Sequence, residues 1–262
     1  MIRCVTCFAT AACVLAPASA GAGTALRPPP ALSVSPARVT LVGTAARTIE
    51  VTNRGSAAAV VDAVSAGFAL TLRGRPRVLS AGRGAAAAGS WLTLRPQRLT
   101  LAPGRTASLS VSSAPPPQAG PGDHAALVLL STRPGSGGRV AVLMRVGVVV
   151  DVRVAGAIVR HLELRRLHVR RLGRLRILEL LLVNRGNVTE MLQRGRVHVT
   201  LRRRGRTLAR LPAAPRELLP RTSGLAEIRY RGRLRGPLTA QVVVDAAGPG
   251  GSVWRRTFRI RL

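Results

Sequence analysis

From Leu32 onward the sequence predicts an all-β chain folded as two tandem β-sandwiches, and three observations predict it. Apolar residues recur with period two in short runs that stop at Gly, Pro or Asn. No stretch carries the 3.6-residue period of a long amphipathic helix. The strand-and-turn pattern of the first half returns, in weaker form, in the second.

The elements follow in chain order. Met1-Ile2-Arg3 is a short positive start, Cys4 to Ala16 is mostly apolar and small, and Pro17-Ala18-Ser19-Ala20 has the small-x-small form of a cleavage site. Residues 1–22 therefore read as a secretory signal peptide, cut after Ala20 or Ala22. The apolar run is shorter than the about 20 residues that span a bilayer. Acylation at Cys13 is disfavoured, because Thr10-Ala11-Ala12 lacks the usual Leu. Residues 23–31 form a Pro/Gly-rich leader. Strand-like runs follow at Leu32–Ser35, Val39–Leu41, Thr48–Thr52, Ala58–Val64 and Phe68–Leu72. Residues 80–90, rich in Gly and Ala, read as a loop. Strands resume at Trp91–Leu94, Leu99–Leu101, Ala107–Val111 and His124–Ser131. Val140–Val154 contains Arg145, Asp151 and Arg153 and is rich in β-branched residues, so it reads as a long last strand and not as a membrane helix. The second half continues with Val159–Val169, Leu175–Val183, Val197–Leu201, Thr207–Leu211, Leu225–Tyr230, Leu238–Val244 and Val253–Ile260. Arg202-Arg203-Arg204-Gly205-Arg206 reads as a basic hairpin tip. Thr257 to Leu262 alternates arginine with apolar residues, as a half-buried terminal strand does.

The repeat is specific to two turns. Ile49-x-Val51-x-Asn53-Arg54-Gly55 matches Leu180-x-Leu182-x-Asn184-Arg185-Gly186, and Leu101-x-Pro103-x-Arg105-Thr106 parallels Leu219-Pro220-Arg221-Thr222. Each half thus has a strand ending in Asn-Arg-Gly and a Pro-initiated turn before another strand. The expected units are residues 32–155 and an Arg-rich second unit, 156–262, with the boundary near Ala155-Gly156-Ala157.

Composition narrows the function. The three cysteines (Cys4, Cys7, Cys13) all lie in the signal segment, so the mature chain has no disulfide and no thiolate chemistry. All 41 basic residues are arginine, and the formal net charge is +31. Ala, Gly, Pro and Arg are inflated together, as GC-rich coding produces. Residues 23–155 carry 15 arginines against 4 acids; residues 156–262 carry 25 against 6. Such a surface attracts anionic polymers, and outside a cell these are wall glycopolymers, acidic lipids or polysaccharides. Nucleic acid is disfavoured by the export signal and by the scarcity of stacking side chains.

No catalytic constellation is visible: no nucleophile motif, phosphate-cradling loop or paired carboxylates. Asp123-His124 is the only adjacent acid–imidazole pair and reads as a loop-to-strand transition. His161, His168 and His198 sit in alternating strands without a carboxylate cluster at metal spacing, so neither a metal nor another cofactor is expected. Trp91 reads as core, with stacking on a sugar ring as its functional alternative. The sequon Asn187-Val188-Thr189 is read as having no role in a bacterial chain. Arg202, Arg203, Arg204 and Arg206 are candidate polyanion contacts.

The first half carries Ser35-Pro36-x-Arg38-Val39, a strand ending at Asn53, Trp91-Leu92, Leu101-Ala-Pro-Gly104, and Gly122-Asp-His-x-Ala126-x-Val128 before a Val-rich strand. In this order it resembles the Ig-like first domain shared by WxL-interacting proteins of Gram-positive surfaces and, more distantly, by periplasmic pilus chaperones. The resemblance covers about residues 32–155 and implies two Ig-like sandwiches without enzymatic activity. Similarity to WxL-interacting proteins implies a peptidoglycan-binding first domain, a second domain that meets a surface protein, and a place at the cell envelope. Those proteins usually end in a membrane helix with a basic tail; this chain ends in a strand. Similarity to the chaperones implies an edge strand lent to a subunit and a carboxylate anchored by an Arg on the first strand and a Lys on the last. Arg38 matches the first of these. The last-strand position falls near Val146, which is not basic, and the adjacent Arg145 points to the opposite face from Val146. The expected function is thus a secreted envelope scaffold that contacts wall glycan or anionic wall polymer and a surface protein, with a pilus-type assembly chaperone as the alternative. Arg38, Trp91, His124 and Arg145 are the candidate ligand-binding residues.

Overall fold

A computed structural model describes residues 31–80, 84–133, 143–245 and 253–262. The segments read from sequence as a signal peptide (1–22) and a leader (23–31) lie outside the described residues, except for Ala31. The rest is two Ig-like β-sandwiches in tandem.

The first sandwich holds β1 (Leu32–Ser35), β2 (Arg38–Val42), β3 (Ala46–Asn53), β4 (Ala59–Leu70), β5 (Pro76–Leu79), β6 (Leu92–Arg95), β7 (Arg98–Leu101), β8 (Thr106–Ser113), β9 (Gly122–Thr132) and β10 (Arg145–Val154). One sheet has the order β1-β3-β8-β6. The other runs β2-β10-β9-β4-β5, with β7 also on β4. Between β1 and β2 the chain leaves the first sheet at Pro36, which lacks the N–H that a ladder needs. It then pairs in parallel with β10, Arg38 opposite Val149. Alternation puts Val39, Leu41, Ile49, Val51, Leu109, Val111, Val128, Leu130, Val148 and Val150 between the sheets. A side chain of this kind contributes about 1.5–3 kcal/mol when fully buried.

The second sandwich holds β11 (Leu162–Leu172), β12 (Leu175–Asn184), β13 (Glu190–Leu192), β14 (Val197–Arg203), β15 (Arg206–Pro212), β16 (Arg216–Leu218), β17 (Ser223–Tyr230), β18 (Pro237–Asp245) and β19 (Val253–Arg261). Its sheets are β11-β12-β17, a small β13-β16 pair and β15-β14-β18-β19. Its own core includes Leu164, Leu178, Leu180, Leu182, Val199, Leu201, Ile228 and Val242.

The two Asn-Arg-Gly turns are built alike. The Asn53 amide donates to the carbonyls of Ala57 (2.7 Å) and Leu101 (3.0 Å), and its oxygen accepts Gly55 N–H. The Asn184 amide donates to Val188 (2.8 Å), Leu218 (3.1 Å) and Leu219 (3.2 Å), and its oxygen accepts Gly186 N–H. Each Asn thus ties the first repeated turn to the second.

Several elements depart from the sequence expectation. Gly84–Trp91 is a 3-10 helix where a loop was expected. It lies close on β4, and Gly89 permits this: a Cβ there would stand 2.6 Å from the Ala66 carbonyl carbon. The runs expected at Ala58–Val64 and Phe68–Leu72 fall largely in one strand, Ala59–Leu70, because Ser65, Ala66 and Gly67 pair with β9. The strand expected at Val159–Val169 runs instead from Leu162 to Leu172. β5, β13 and β16 were not foreseen; runs of three or four residues are too short to show a period.

Candidate functional site

The outer face of the β2-β10-β9-β4 sheet turns toward the second sandwich, and the seam between them is built from charged and backbone groups around a small apolar patch. Arg38 and Asp151 are on the same face, since Arg38 pairs with Val149 and side chains alternate. The Arg38 guanidinium bonds Asp151 through Nη1 and Glu217 of β16 through Nη2, joining β2, β10 and the second sandwich. Asp151 is only 6% exposed, and its Oδ1 has no partner among the described residues. Burial therefore pushes its pKa up, against the pull of Arg38. Burial works against the Arg38 cation too, but Asp151 and Glu217 together outweigh it and hold that charge more firmly. The two directions agree: Arg38 has two carboxylates, while Asp151 has one cation for two oxygens.

Three further contacts complete the seam. Asp123 takes a bidentate pair from Arg153 (2.6 and 2.9 Å) and the Thr189 N–H (2.8 Å). Asn187 donates to Pro121 and Ala157 carbonyls, accepts Val159 N–H, and its own carbonyl accepts Asp123 N–H at 2.7 Å. The β4–β5 loop reaches across: Arg73 bonds Glu179 (2.9 Å) and Glu227, Leu225 N–H donates to Leu72 O (2.7 Å), and Arg216 donates to the Thr71 and Leu72 carbonyls. The apolar patch joins Ala66, Phe68, Ala125, Leu127 and Leu129 to Leu219. Beside it a cavity of about 500 Å³ opens between the sandwiches, lined by Phe68, Pro121, His124, Leu219, Arg221 and Thr222.

The sequence candidates are distributed unevenly over this site. Trp91, at the end of the 3-10 helix, and His124 come together, with ring centroids 4.8 Å apart at 57°. Trp91 also packs partly buried on the first core, and His124 Nε2 bonds the Gly120 carbonyl at 2.8 Å. Arg38 stands in the seam. Arg145 does point away from Val146, and it is Arg145 that shares the face of Arg38. It lies four residues, about 13 Å, further along β10. Its Nε bonds Ser131 Oγ, and among the described residues it has no acidic partner. Arg202, Arg203, Arg204 and Arg206 are remote from the seam on the β14–β15 hairpin, exposed, with Arg204 and Gly205 in the left-handed turn conformation. Asp151, Glu217 and Asn187 were missed as site residues. Asp151 had one signal, a carboxylate in a valine run; Asn187 had none beyond its sequon.

β10 has a free edge. β9 pairs along its whole length, but β2 covers only Val149–Arg153. Among the described residues, Arg145–Val148 therefore have a strand on one side only. Val149 N–H points to the β2 side, donating to Ala37 O. By alternation the N–H groups of Arg145 and Gly147 face the free edge. Next to them lies an apolar row of Gly147, Leu129 and Val64, paired in register, with Val64 52% exposed. Among the described residues no group of three or more His, Cys, Asp or Glu could hold a metal ion, and no helix is long and apolar enough to cross a membrane.

No family model matches the sequence, and no curated protein sequence does. Solved structures share the fold. A class 5 fimbriae chaperone superposes with a TM-score of 0.51 at 11% identity, over 86% of this chain and 99% of that chain. A chain of a chaperone–tip adhesin complex of CFA/I fimbriae biogenesis gives 0.50 at 9% identity, over 86% and 98%. Both likenesses cover 86% of this chain, so the fold is shared over both sandwiches.

Proposed function

We propose that this chain is an extracytoplasmic assembly chaperone for a subunit of a surface fibre, capturing it by strand addition along β10. The observation that carries this reading is the half-paired edge at Arg145–Val148, beside the apolar row of Gly147, Leu129 and Val64. An open edge of this kind is an aggregation liability unless a partner strand covers it. The shared fold with a fimbriae chaperone supports the choice of partner. Residues 32–155 supply the capturing edge and residues 156–262 the far wall of the cleft.

Arg38 is the anchor for a C-terminal carboxylate, by exchange. Glu217 occupies the position that an incoming carboxylate would take, while Asp151 keeps the guanidinium oriented. Arg145, exposed on the same face and without an acidic partner among the described residues, is a second cation for the arriving chain. His124 lines the inter-domain cavity, and the Trp91 ring packs against it from the first sandwich.

The test uses a synthetic peptide of alternating Val and Thr with a free C-terminal carboxylate, and its C-terminal amide, titrated into the protein. The free acid is expected to bind more tightly. Truncating one side of a desolvated charge pair costs about 2–5 kcal/mol, so Arg38→Ala should weaken the acid form by roughly 30-fold or more. Glu217→Gln should tighten it, because the competing charge is gone. Equal affinity of acid and amide, unchanged by both variants, would refute the carboxylate exchange.

A further inference from the structure

The second sandwich carries a surface that the capture reading does not use. In the β15-β14-β18-β19 sheet, one face holds the core residues Val199, Leu201, Ala240 and Val242, with Phe258 packed against them. Alternation sends the intervening residues outward. Register aligns Arg210, Thr200, Gln241 and Thr257 in one row, and Arg202, Thr239 and Arg259 in another. His198, Val243 and Arg255 make a third, and Arg261 ends β19. Arg202, Arg210, Arg255, Arg259 and Arg261 are all exposed, and none has an acidic partner among the described residues. The acid on this face among the described residues is Asp245, at the far end of β18.

Five like charges on one flat face repel each other, and nothing in the sandwich's own packing needs them. The strip between them is Thr200, Thr239, Gln241 and Thr257, short side chains that donate and accept hydrogen bonds. No aromatic side chain points outward from the sheet, since Trp254 and Phe258 lie on its core side. Burial, then the Arg210 and Arg255 charges, push the His198 pKa down, so His198 lies within the field of two of these arginines. Strands about 4.8 Å apart and residues about 3.4 Å apart set the arginines roughly 7–14 Å from their neighbours, a spacing suited to charges repeated along an extended polymer.

We propose that the outer face of this sheet binds an acidic polysaccharide, with the arginines on sugar carboxylates and the Thr–Gln strip on hydroxyls. This would hold the protein in an anionic matrix while the cleft remains free, because none of these residues lies in the inter-domain seam. Guanidinium forks match carboxylates bidentately. The lack of stacking side chains argues against single-stranded nucleic acid.

The experiment titrates polygalacturonate into the protein at physiological salt, with oligothymidylate as the comparison. Polygalacturonate should bind and oligothymidylate should bind more weakly. The triple variant Arg255→Gln, Arg259→Gln, Arg261→Gln should lose roughly tenfold or more in affinity, from three exposed contacts. Arg47→Gln, Arg95→Gln, Arg105→Gln removes the same charge from exposed sites of the first sandwich and should change affinity less than about twofold, since screening confines such charges to about 8 Å. Binding should also raise the His198 pKa, read by NMR. Equal losses in the two triples would mean diffuse net-charge attraction and overturn the site. Equal or tighter binding of oligothymidylate would replace the polysaccharide by nucleic acid. Absence of binding to either would remove the proposal and leave the cleft reading untouched.

Discussion

Asn184→Ala should be the most damaging single truncation of a polar side chain in the second sandwich. Its amide serves three buried carbonyls, Val188, Leu218 and Leu219, and its oxygen accepts the buried Gly186 N–H. Two amide hydrogens serve three acceptors, so about three effective hydrogen bonds vanish, and the groups left behind are sealed from water. An unsatisfied buried group costs about 1–3 kcal/mol, which puts the total near 3–5 kcal/mol. Asn184→Asp should be no better: it retains an acceptor for Gly186 but turns a carboxylate toward three carbonyl oxygens. The chain has two tryptophans, Trp91 in the first sandwich and Trp254 in the second. In a Trp91→Phe background, fluorescence reports the second sandwich alone. With a urea slope of about 2 kcal/mol/M, the midpoint should fall by about 2 M. A shift under about 0.5 M would refute the claim that this side chain locks the turn. Asn53→Ala, with two carbonyls in place of three, should cost less, about 2–3 kcal/mol.

Other outcomes follow from the seam. Gly122 has φ +113°, and a Cβ there would collide with the Asn187 carbonyl, so Gly122→Ala should destabilise by about 2–4 kcal/mol and open the inter-domain junction to protease. Burial alone would raise the Glu179 pKa, but hydrogen bonds from Arg170 and Arg73 outweigh it and lower it. Its stabilising contribution is therefore present above the ordinary carboxylate range, about pH 4, and is lost as pH falls through the lower folded value. Glu179→Gln should flatten the acid limb of a stability–pH curve; an unchanged limb would count against the pairing. Asp151, with its pKa raised, works the other way: its contribution is full in acid and is lost as pH rises through the folded value. Asp151→Asn should therefore be tolerated better near neutrality than at low pH, and the reverse ranking would contradict the burial argument.

Much of the sandwich architecture was legible in the sequence because strand parity is a local property. Val39 and Leu41, or Phe258 and Ile260, announce a buried face by spacing alone. The matched Asn53 and Asn184 turns were legible as a repeat, since one residue type does one geometrical job twice. The seam was not legible, because it depends on neighbours distant in the chain. Arg38, Asp151 and Glu217 are separated by more than a hundred residues at the widest, and no local pattern predicts their meeting. Asn187 shows the same gap: its triplet matches a sequon, yet its side chain joins the sandwiches through Pro121 and Ala157. Arg145 was legible as a cation one position from the expected one, but only the parallel register of β2 against β10 shows that it shares the face of Arg38.

The free edge of β10 is the centre of the functional account, and amide exchange measures it directly. In the protein alone, the Arg145 and Gly147 amides should exchange fast while those of Val146 and Val148, which face β9, are protected. On addition of the alternating Val/Thr peptide with its free carboxylate, Arg145 and Gly147 should gain protection together. Slow exchange at both before any peptide is added, or no gain after binding, would contradict strand addition at this edge.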